Sequence, residues 1–406
     1  VAAHNSAQRW ANAGRGGQPV TDAALPGARR LAQIPADGLS ELVEAGRLMG
    51  AVDLALGSPG WPRPPKAMID QACAALRDGN NQYGDMRGNG ELRAALGQSF
   101  RTPADPDAEV TITVGTAGAL AVALLGLVDP GDEIVVVEPF FEPYLASIAA
   151  ASAVPRFVRA GPPGWRWDVT ALAAAIGPRT RAILVNTPHN PTGQVLTEHE
   201  WAVIAELCER HDLMVISDEV YAAYVYDDGT HISAADVPAL RDRAVVVGSF
   251  SKSHAISGWR IGYLRAAPAL TRALRGIQTG LTGGAPVPLQ QAVARSGLVA
   301  GQDWDPRPEL QQLRDRALHV FRSVGLRCTV PRGGCYIVAE LGPYGREDCQ
   351  SFVRRLAADL GVLLAPGRLF MSDRSADSGF VRIAFNKPPA YLDTAQGRLA
   401  TLEPLR

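Results

Sequence analysis

From about residue 90 the chain alternates short, continuous apolar runs with stretches of helical spacing. The runs are Ile112-Thr113-Val114, Glu133 to Val137, Arg181 to Val185, Leu213 to Ile216, Val245 to Val247 and Tyr263-Leu264. Helical stretches near Gly118 to Val128, Pro143 to Ala151, Asp168 to Ile176 and Glu198 to His211 separate the first four. A strand that is apolar along its whole length is buried on both faces. The pattern therefore predicts a mainly parallel sheet covered by helices. Upstream, Leu39 to Met49 reads as a helix, and Asp53 to Leu56 as a short strand broken at Gly57-Ser58-Pro59-Gly60. A further helix is predicted near Ala67 to Leu76. A smaller pattern starts near residue 305, with a long helix from Glu309 to Val324 and another near Cys349 to Leu360. Strands at Tyr336 to Ala339, Val362 to Leu364 and Val381 to Ala384 complete an α+β unit. Residues 1–30 carry glycine and proline without periodicity and read as a flexible arm.

Composition narrows the function. The 406 residues are 47% hydrophobic and 20% charged, which is ordinary for a globular protein and long enough for one large and one small domain. A net charge of −1 offers no electrostatic footprint for nucleic acid or a membrane surface. The first thirty residues lack the apolar core of a secretory signal. Five cysteines without C-x-x-C spacing point to free thiols in a reducing, cytoplasmic setting. They are scattered, no H-E-x-x-H occurs, and no metal is expected.

The chemistry centres on Lys252, in Ser249-Phe250-Ser251-Lys252-Ser253-His254 just after the run ending at Val247. An isolated lysine is most often a solvated surface charge. At the end of a buried strand it can instead lose its hydration shell. That lowers its pKa and leaves a neutral amine able to form a Schiff base with an aldehyde. Eight residues on, Arg260 offers a forked donor suited to phosphate. An aldehyde and a phosphate together suggest pyridoxal 5′-phosphate. Ser249-Phe250-Ser251-Lys252 also fits S-x-x-K of acyl-serine enzymes. However, no Lys-Thr-Gly follows, and Ser217-Asp218-Glu219 lies upstream with the wrong third residue.

Four further stretches sit at strand ends. Thr113-Val114-Gly115-Thr116-Ala117-Gly118 leads from a strand into a helix, as a plain tight turn or a phosphate cradle would. Glu138-Pro139-Phe140-Phe141-Glu142-Pro143-Tyr144 places aromatics where core packing or ring stacking could use them. Asn186-Thr187-Pro188-His189-Asn190-Pro191-Thr192-Gly193 is turn-forming in composition. Ser217-Asp218-Glu219-Val220-Tyr221 ends in carboxylates that could be helix caps or catalytic groups. All fall at the carboxyl ends of predicted parallel strands, where open α/β sheets bind ligands.

In order and spacing these stretches resemble class I/II, fold-type I pyridoxal-phosphate aminotransferases over roughly residues 50 to 400. The kynurenine/glutamine and methionine types are nearest in motif. The resemblance implies an α/β fold: a large domain (66–300) with a mainly parallel seven-stranded sheet between helices, and a small α+β domain (301–406). A segment over 31–65 would pack with the small domain. It implies that Lys252 carries the cofactor and serves as the general base. Asp218 would hold the pyridine nitrogen protonated, making the ring an electron sink. Phe141 rather than Phe140 would stack on that ring. Asn190 and Tyr221 would bond its phenolic oxygen, and Thr116, Ala117, Ser249 and Arg260 would surround its phosphate. Tyr83, in Asn81-Gln82-Tyr83-Gly84, would reach the phosphate of the neighbouring subunit in a homodimer. Gly57 would lie in a loop closing over substrate, and Arg382, otherwise readable as a surface ion-pair partner, would bind the α-carboxylate.

The activity so implied is ping-pong transfer of an amino group from an L-amino acid to a 2-oxo acid. A lyase or cyclising enzyme on the same scaffold is the alternative. A pyridoxal-phosphate-binding transcription factor would need a helix-turn-helix that the first fifty residues do not supply. Dicarboxylate-specific relatives use a second arginine from the partner. The stretch from Gln278 to Pro288 contains none, which weighs against aspartate.

Overall fold

The strands follow the expected alternation with two additions in the main sheet and two short ones in the C-terminal part. A computed structural model describes residues 27–35, 38–299 and 303–403. Most of the arm expected over residues 1–30 lies outside the described residues. In chain order the strands are β1 (Val52–Asp53), β2 (Val110–Val114), β3 (Glu133–Glu138), β4 (Val154–Gly161), β5 (Arg166–Trp167), β6 (Thr180–Asn186) and β7 (Met214–Asp218). They continue with β8 (Ala244–Ser249), β9 (Ile261–Ala266), β10 (Arg327–Cys328), β11 (Tyr336–Glu340), β12 (Val362–Leu363), β13 (Ala365–Pro366) and β14 (Phe380–Ala384).

The main sheet has the order β2-β9-β8-β7-β6-β3-β4-β5. Pairing is parallel from β4 through β3, β6 and β7 to β8. Strand β9 runs antiparallel between β8 and β2, so β2 points the same way as β8. The resemblance implies seven strands and the apolar runs number six; β4 and the two-residue β5, folded back beside it, bring the sheet to eight. Alternate residues feed two cores, as the period of a strand requires. Ile134, Val136, Leu184, Ile216, Val245 and Val247 pack with the helix Gly115–Leu127 on one face. Val135, Ile183, Val185, Val215 and Val246 pack on the other face with Trp201, Ile204 and Leu207 of the helix Glu198–His211. That helix starts in a capping box in which the Thr197 side chain accepts from Glu200 N.

Strand β4 escapes sequence reading because it lies near the sheet edge, carries Pro155, Arg156 and Arg159, and is half exposed. The helices Gly90–Ser99, Pro268–Thr282, Val287–Arg295 and Pro389–Leu399 are likewise absent from the sequence expectation. In the second of these the signal was present: Leu270, Leu274 and Ile277 recur at helical spacing and pack on the main core.

In the C-terminal part, β10-β11-β14-β13 form an antiparallel sheet. The helices Arg307–Ser323 and Cys349–Leu360 close a core containing Phe321, Phe352, Phe380 and Phe385. Strand β1 pairs in parallel with β12, and Leu54 joins the same core. The segment bearing Gly57 is thereby tied to the unit bearing Arg382. All five cysteines are free, and only Cys73 is exposed. Among the described residues no helix is long and apolar enough to cross a membrane.

Candidate active site

The carboxyl ends of β2, β3, β6, β7 and β8 open along one edge of the main sheet. Next to them, where β14 and the Gly57 loop come across, lies a cleft of about 280 Å³, near the size that admits a small organic ligand. Gly57, Thr116, Ala117, Phe141, Asn190, Asp218, Tyr221, Ser249, Lys252, Arg260 and Arg382 all line it. Of the residues singled out in the sequence, only Tyr83 stands apart: its side chain is 87% exposed on the surface of this chain.

One part of the cleft is built for an anion. Gly115 adopts φ +66°, and a Cβ there would lie 2.4 Å from Arg260 Nη2. Only glycine lets the guanidinium press against the first turn of Gly115–Leu127. Gly262 allows a similar approach of backbone to backbone, since its Cβ would lie 2.4 Å from the Gly115 carbonyl carbon. Arg260 is itself left-handed (φ 59°, ψ 41°) and donates from Nη1 to Ser257 O at 2.9 Å. Thr116 Oγ1 is buried with no partner among the described residues. A guanidinium, an unpartnered hydroxyl and the positive end of a thirteen-residue helix match a phosphate.

Lys252 lies in the short helix Phe250–Ser253 directly after β8, capped by the Ser249 side chain accepting from Ser251 N. Its Nζ donates to Gly57 O at 3.0 Å. Burial pushes its pKa below the ordinary lysine value, and Arg382, Lys387 and Arg260 push the same way, against Cys335. Tyr224 donates to the Lys252 carbonyl, which fixes the segment from below. Asn386 Nδ2 also donates to Gly57 O, at 3.1 Å, so that carbonyl is held at a defined place.

Asp218 is the last residue of β7 and is 3% exposed. Burial lifts its carboxyl to about 6, although the Tyr144 hydroxyl and Val220 N–H both donate to it, at 2.7 Å and 3.2 Å. Asn186 ends β6 and shapes the neighbouring loop. Its Nδ2 donates to Asp218 O at 2.8 Å, and its Oδ1 accepts from Asn190 N at 2.7 Å. Glu219, one residue past Asp218, is structural. It accepts from Ser217 Oγ, Ser233 Oγ and Ala234 N and faces His231.

Arg382, in the middle of β14, is 1% exposed. It donates to Asn190 Oδ1 at 3.0 Å and to Ala55 O at 2.5 Å, while its Nε has no partner among the described residues. With one lone pair of Oδ1 taken by Arg382, Asn190 offers Nδ2 as a donor to a ligand. The guanidinium carbon lies 4.2 Å from the Tyr336 ring centre and 4.3 Å from that of Phe370. Phe140 is fully buried and stacks on Phe157, whereas Phe141 faces the cleft edge-on to Tyr144.

Sequence reasoning assigned no role to Tyr144, Tyr336 or Asn386. Tyr144 had a signal, because it stands on the first turn after the aromatic stretch at the end of β3. Tyr336 and Asn386 had none, being brought in from the C-terminal unit by folding alone.

The family model described as aminotransferase class I and II matches residues 52–399. The chain is 32% identical over 379 residues to mouse kynurenine–oxoglutarate transaminase 3, covering 85% of this chain and 83% of that one. Among solved structures, N-succinyldiaminopimelate aminotransferase from Mycobacterium tuberculosis superimposes with a TM-score of 0.87 at 33% identity, covering 93% of this chain and all of the other. YbdL from Escherichia coli, described with a methionine aminotransferase function, gives 0.86 at 27% identity, covering 93% and 100%. These likenesses favour amino-group transfer over the eliminating or cyclising alternative, and the fold is that of the fold-type I transferases.

Proposed function

This chain belongs to the class I and II aminotransferases and transfers amino groups; from that premise we propose where its cofactor and substrates bind and which residues act on them. Members of the class depend on pyridoxal 5′-phosphate, and the cleft suits it. The observation that carries the reading is a set of buried charges without counter-charges. Among the described residues Arg382 pairs with no carboxylate, and Asp218 pairs with no cation. A buried charge left in this way is costly unless a ligand completes it. A substrate carboxylate completes Arg382. A protonated pyridine nitrogen completes Asp218. A phosphate completes Arg260, Thr116 Oγ1 and the helix start.

When bound, the cofactor supplies an electron sink for the charge left when the substrate Cα loses a proton. The remaining work falls to the chain's own side chains. Lys252, with its amine pKa lowered by burial, attaches the cofactor. Once substrate is in place, the freed Lys252 Nζ would take the proton from the substrate Cα and hand it on, within the swing of one side chain. Asp218 keeps the ring nitrogen charged, with Tyr144 orienting the carboxylate. Tyr221 and Asn190 Nδ2 donate to the phenolic oxygen, and Phe141 covers the ring. Arg382 orients the amino acid through a forked contact, its plane held between Tyr336 and Phe370. Tyr83 serves the phosphate of a second copy in a homodimer, which accounts for so exposed a ring.

The substrates are an L-amino acid and a 2-oxo acid in alternate half-reactions. The test is incubation of the loaded enzyme with single amino acids, with and without a 2-oxo acid acceptor. Transamination yields the matching 2-oxo acid only in stoichiometric amount without acceptor and continuously with it. Continuous release of ammonia without acceptor would point to elimination instead.

A further inference from the structure

Tyr336 opens β11, and nothing above requires its hydroxyl. The side chain is 3% exposed. Its ring supports Arg382, a task that phenylalanine would perform equally well. The hydroxyl, however, points past the guanidinium to Tyr221, with an oxygen–oxygen distance of 3.1 Å across 115 residues of sequence. It also occupies the space beside Gly57, where a Cβ would fall 1.7 Å from it. The hydroxyl is thus held against Tyr221 by backbone on one side and by the Arg382 stack on the other, and the buried Cys335 thiol faces both phenols.

A phenol carries one hydrogen. In the ligand-free cleft either tyrosine can be the donor. Once Tyr221 gives its hydrogen to the cofactor's phenolic oxygen, it can keep Tyr336 as a partner only by accepting. We infer that Tyr336 is a positioning residue: its hydroxyl donates to Tyr221 in the loaded enzyme and thereby makes Tyr221 a stronger donor to the cofactor. Hydrogen bonds in series polarise one another, and this series is buried, where screening is weak. A stronger donor at the phenolic oxygen drains negative charge from it. The proton on the neighbouring lysine linkage is then held less tightly and leaves at lower pH. The inference rests on the cofactor placement proposed above.

The test is a spectrophotometric pH titration of the cofactor band in the loaded enzyme without substrate, read for wild type, Tyr221→Phe, Tyr336→Phe and the double variant. Tyr221→Phe should move the midpoint upward. Tyr336→Phe should move it the same way by a smaller amount, roughly 0.2–0.6 pH unit, the share expected from the second bond of a chain. Because Tyr336 acts through Tyr221, its removal should add no further shift in the Tyr221→Phe background. Tyr336→Leu, which also removes the ring beneath Arg382, should combine the shift with a higher KM for the amino acid. If Tyr221→Phe shifts the midpoint and Tyr336→Phe does not, or if Tyr336→Phe shifts it equally in both backgrounds, the inference is wrong while the cofactor placement stands. If Tyr221→Phe itself leaves the midpoint in place, the placement of Tyr221 fails and this inference fails with it.

Discussion

Replacing Asp218 by asparagine should make the cofactor-free protein more stable at neutral pH while disabling the loaded enzyme. Burial lifts the Asp218 carboxyl from 3.8 to about 6 in the folded chain; the unfolded chain keeps the ordinary value. Between those two values the folded state holds a proton that the unfolded state has released, so stability falls as pH rises across that window. Above about pH 6 the whole effect is present. A rise of about two pH units corresponds to about 3 kcal/mol, and at 3% exposure solvent screens little of it. Asparagine carries no charge to desolvate, and its amide can keep contacts with Tyr144 and Val220 N–H. The variant should therefore match wild type near pH 4 and exceed it by about 1–3 kcal/mol near pH 7.5. Denaturant unfolding of cofactor-stripped protein at both pH values measures this directly. Adding pyridoxal phosphate should reverse the order, because only the carboxylate pairs with a protonated ring nitrogen. Turnover should fall by several orders of magnitude, each tenfold being about 1.4 kcal/mol of barrier. A stability difference independent of pH, or a loss of turnover below ~10-fold, would refute the assignment of Asp218 as an uncompensated buried carboxylate awaiting a cation.

Lys252→Ala should lose turnover and the cofactor absorption that borohydride abolishes in wild type; near-normal turnover would remove Lys252 from the mechanism. Arg382→Lys keeps the charge but loses the fork, so kcat/KM should fall for every amino acid tested while the cofactor spectrum stays normal. Loss of cofactor instead would move the carboxylate site elsewhere. Mixing Lys252→Ala with Tyr83→Phe subunits should recover activity through heterodimers that contain one site with both residues intact. A monomeric mass in solution with no recovery would count against a shared site. Tyr144→Phe removes a donor from Asp218 and should raise that carboxyl further, weakening cofactor binding near pH 7; unchanged affinity from pH 6 to 8 would show that the 2.7 Å contact has no bearing on the ring nitrogen.

By itself the sequence determined the elements whose energetics are local or periodic. The helix Glu198–His211 begins at its capping box and ends where Asp212 turns left-handed, so both ends follow from neighbouring residues. Strands β3, β6, β7 and β8 declare themselves as unbroken apolar runs because both of their faces are buried. Lys252, Asp218, Asn190 and Arg260 were legible for a related reason: Asp218 ends such a strand, the others lie in motifs that begin at such ends, and the parallel sheet carries those ends to one edge. Strand β4, half exposed and interrupted by proline, lacked that signal and was settled by pairing with β3. The tertiary structure alone decided what the C-terminal unit brings to the cleft. Arg382 could have been a surface ion pair. It is instead buried between two rings and bonded to Asn190, 192 residues away, because β14 lies between β11 and β13 and beside the Gly57 loop. Tyr336 and Asn386 gained their roles in the same way. Long-range contacts of this kind arise from the packing of one unit against another, and no short-range period in the chain records them.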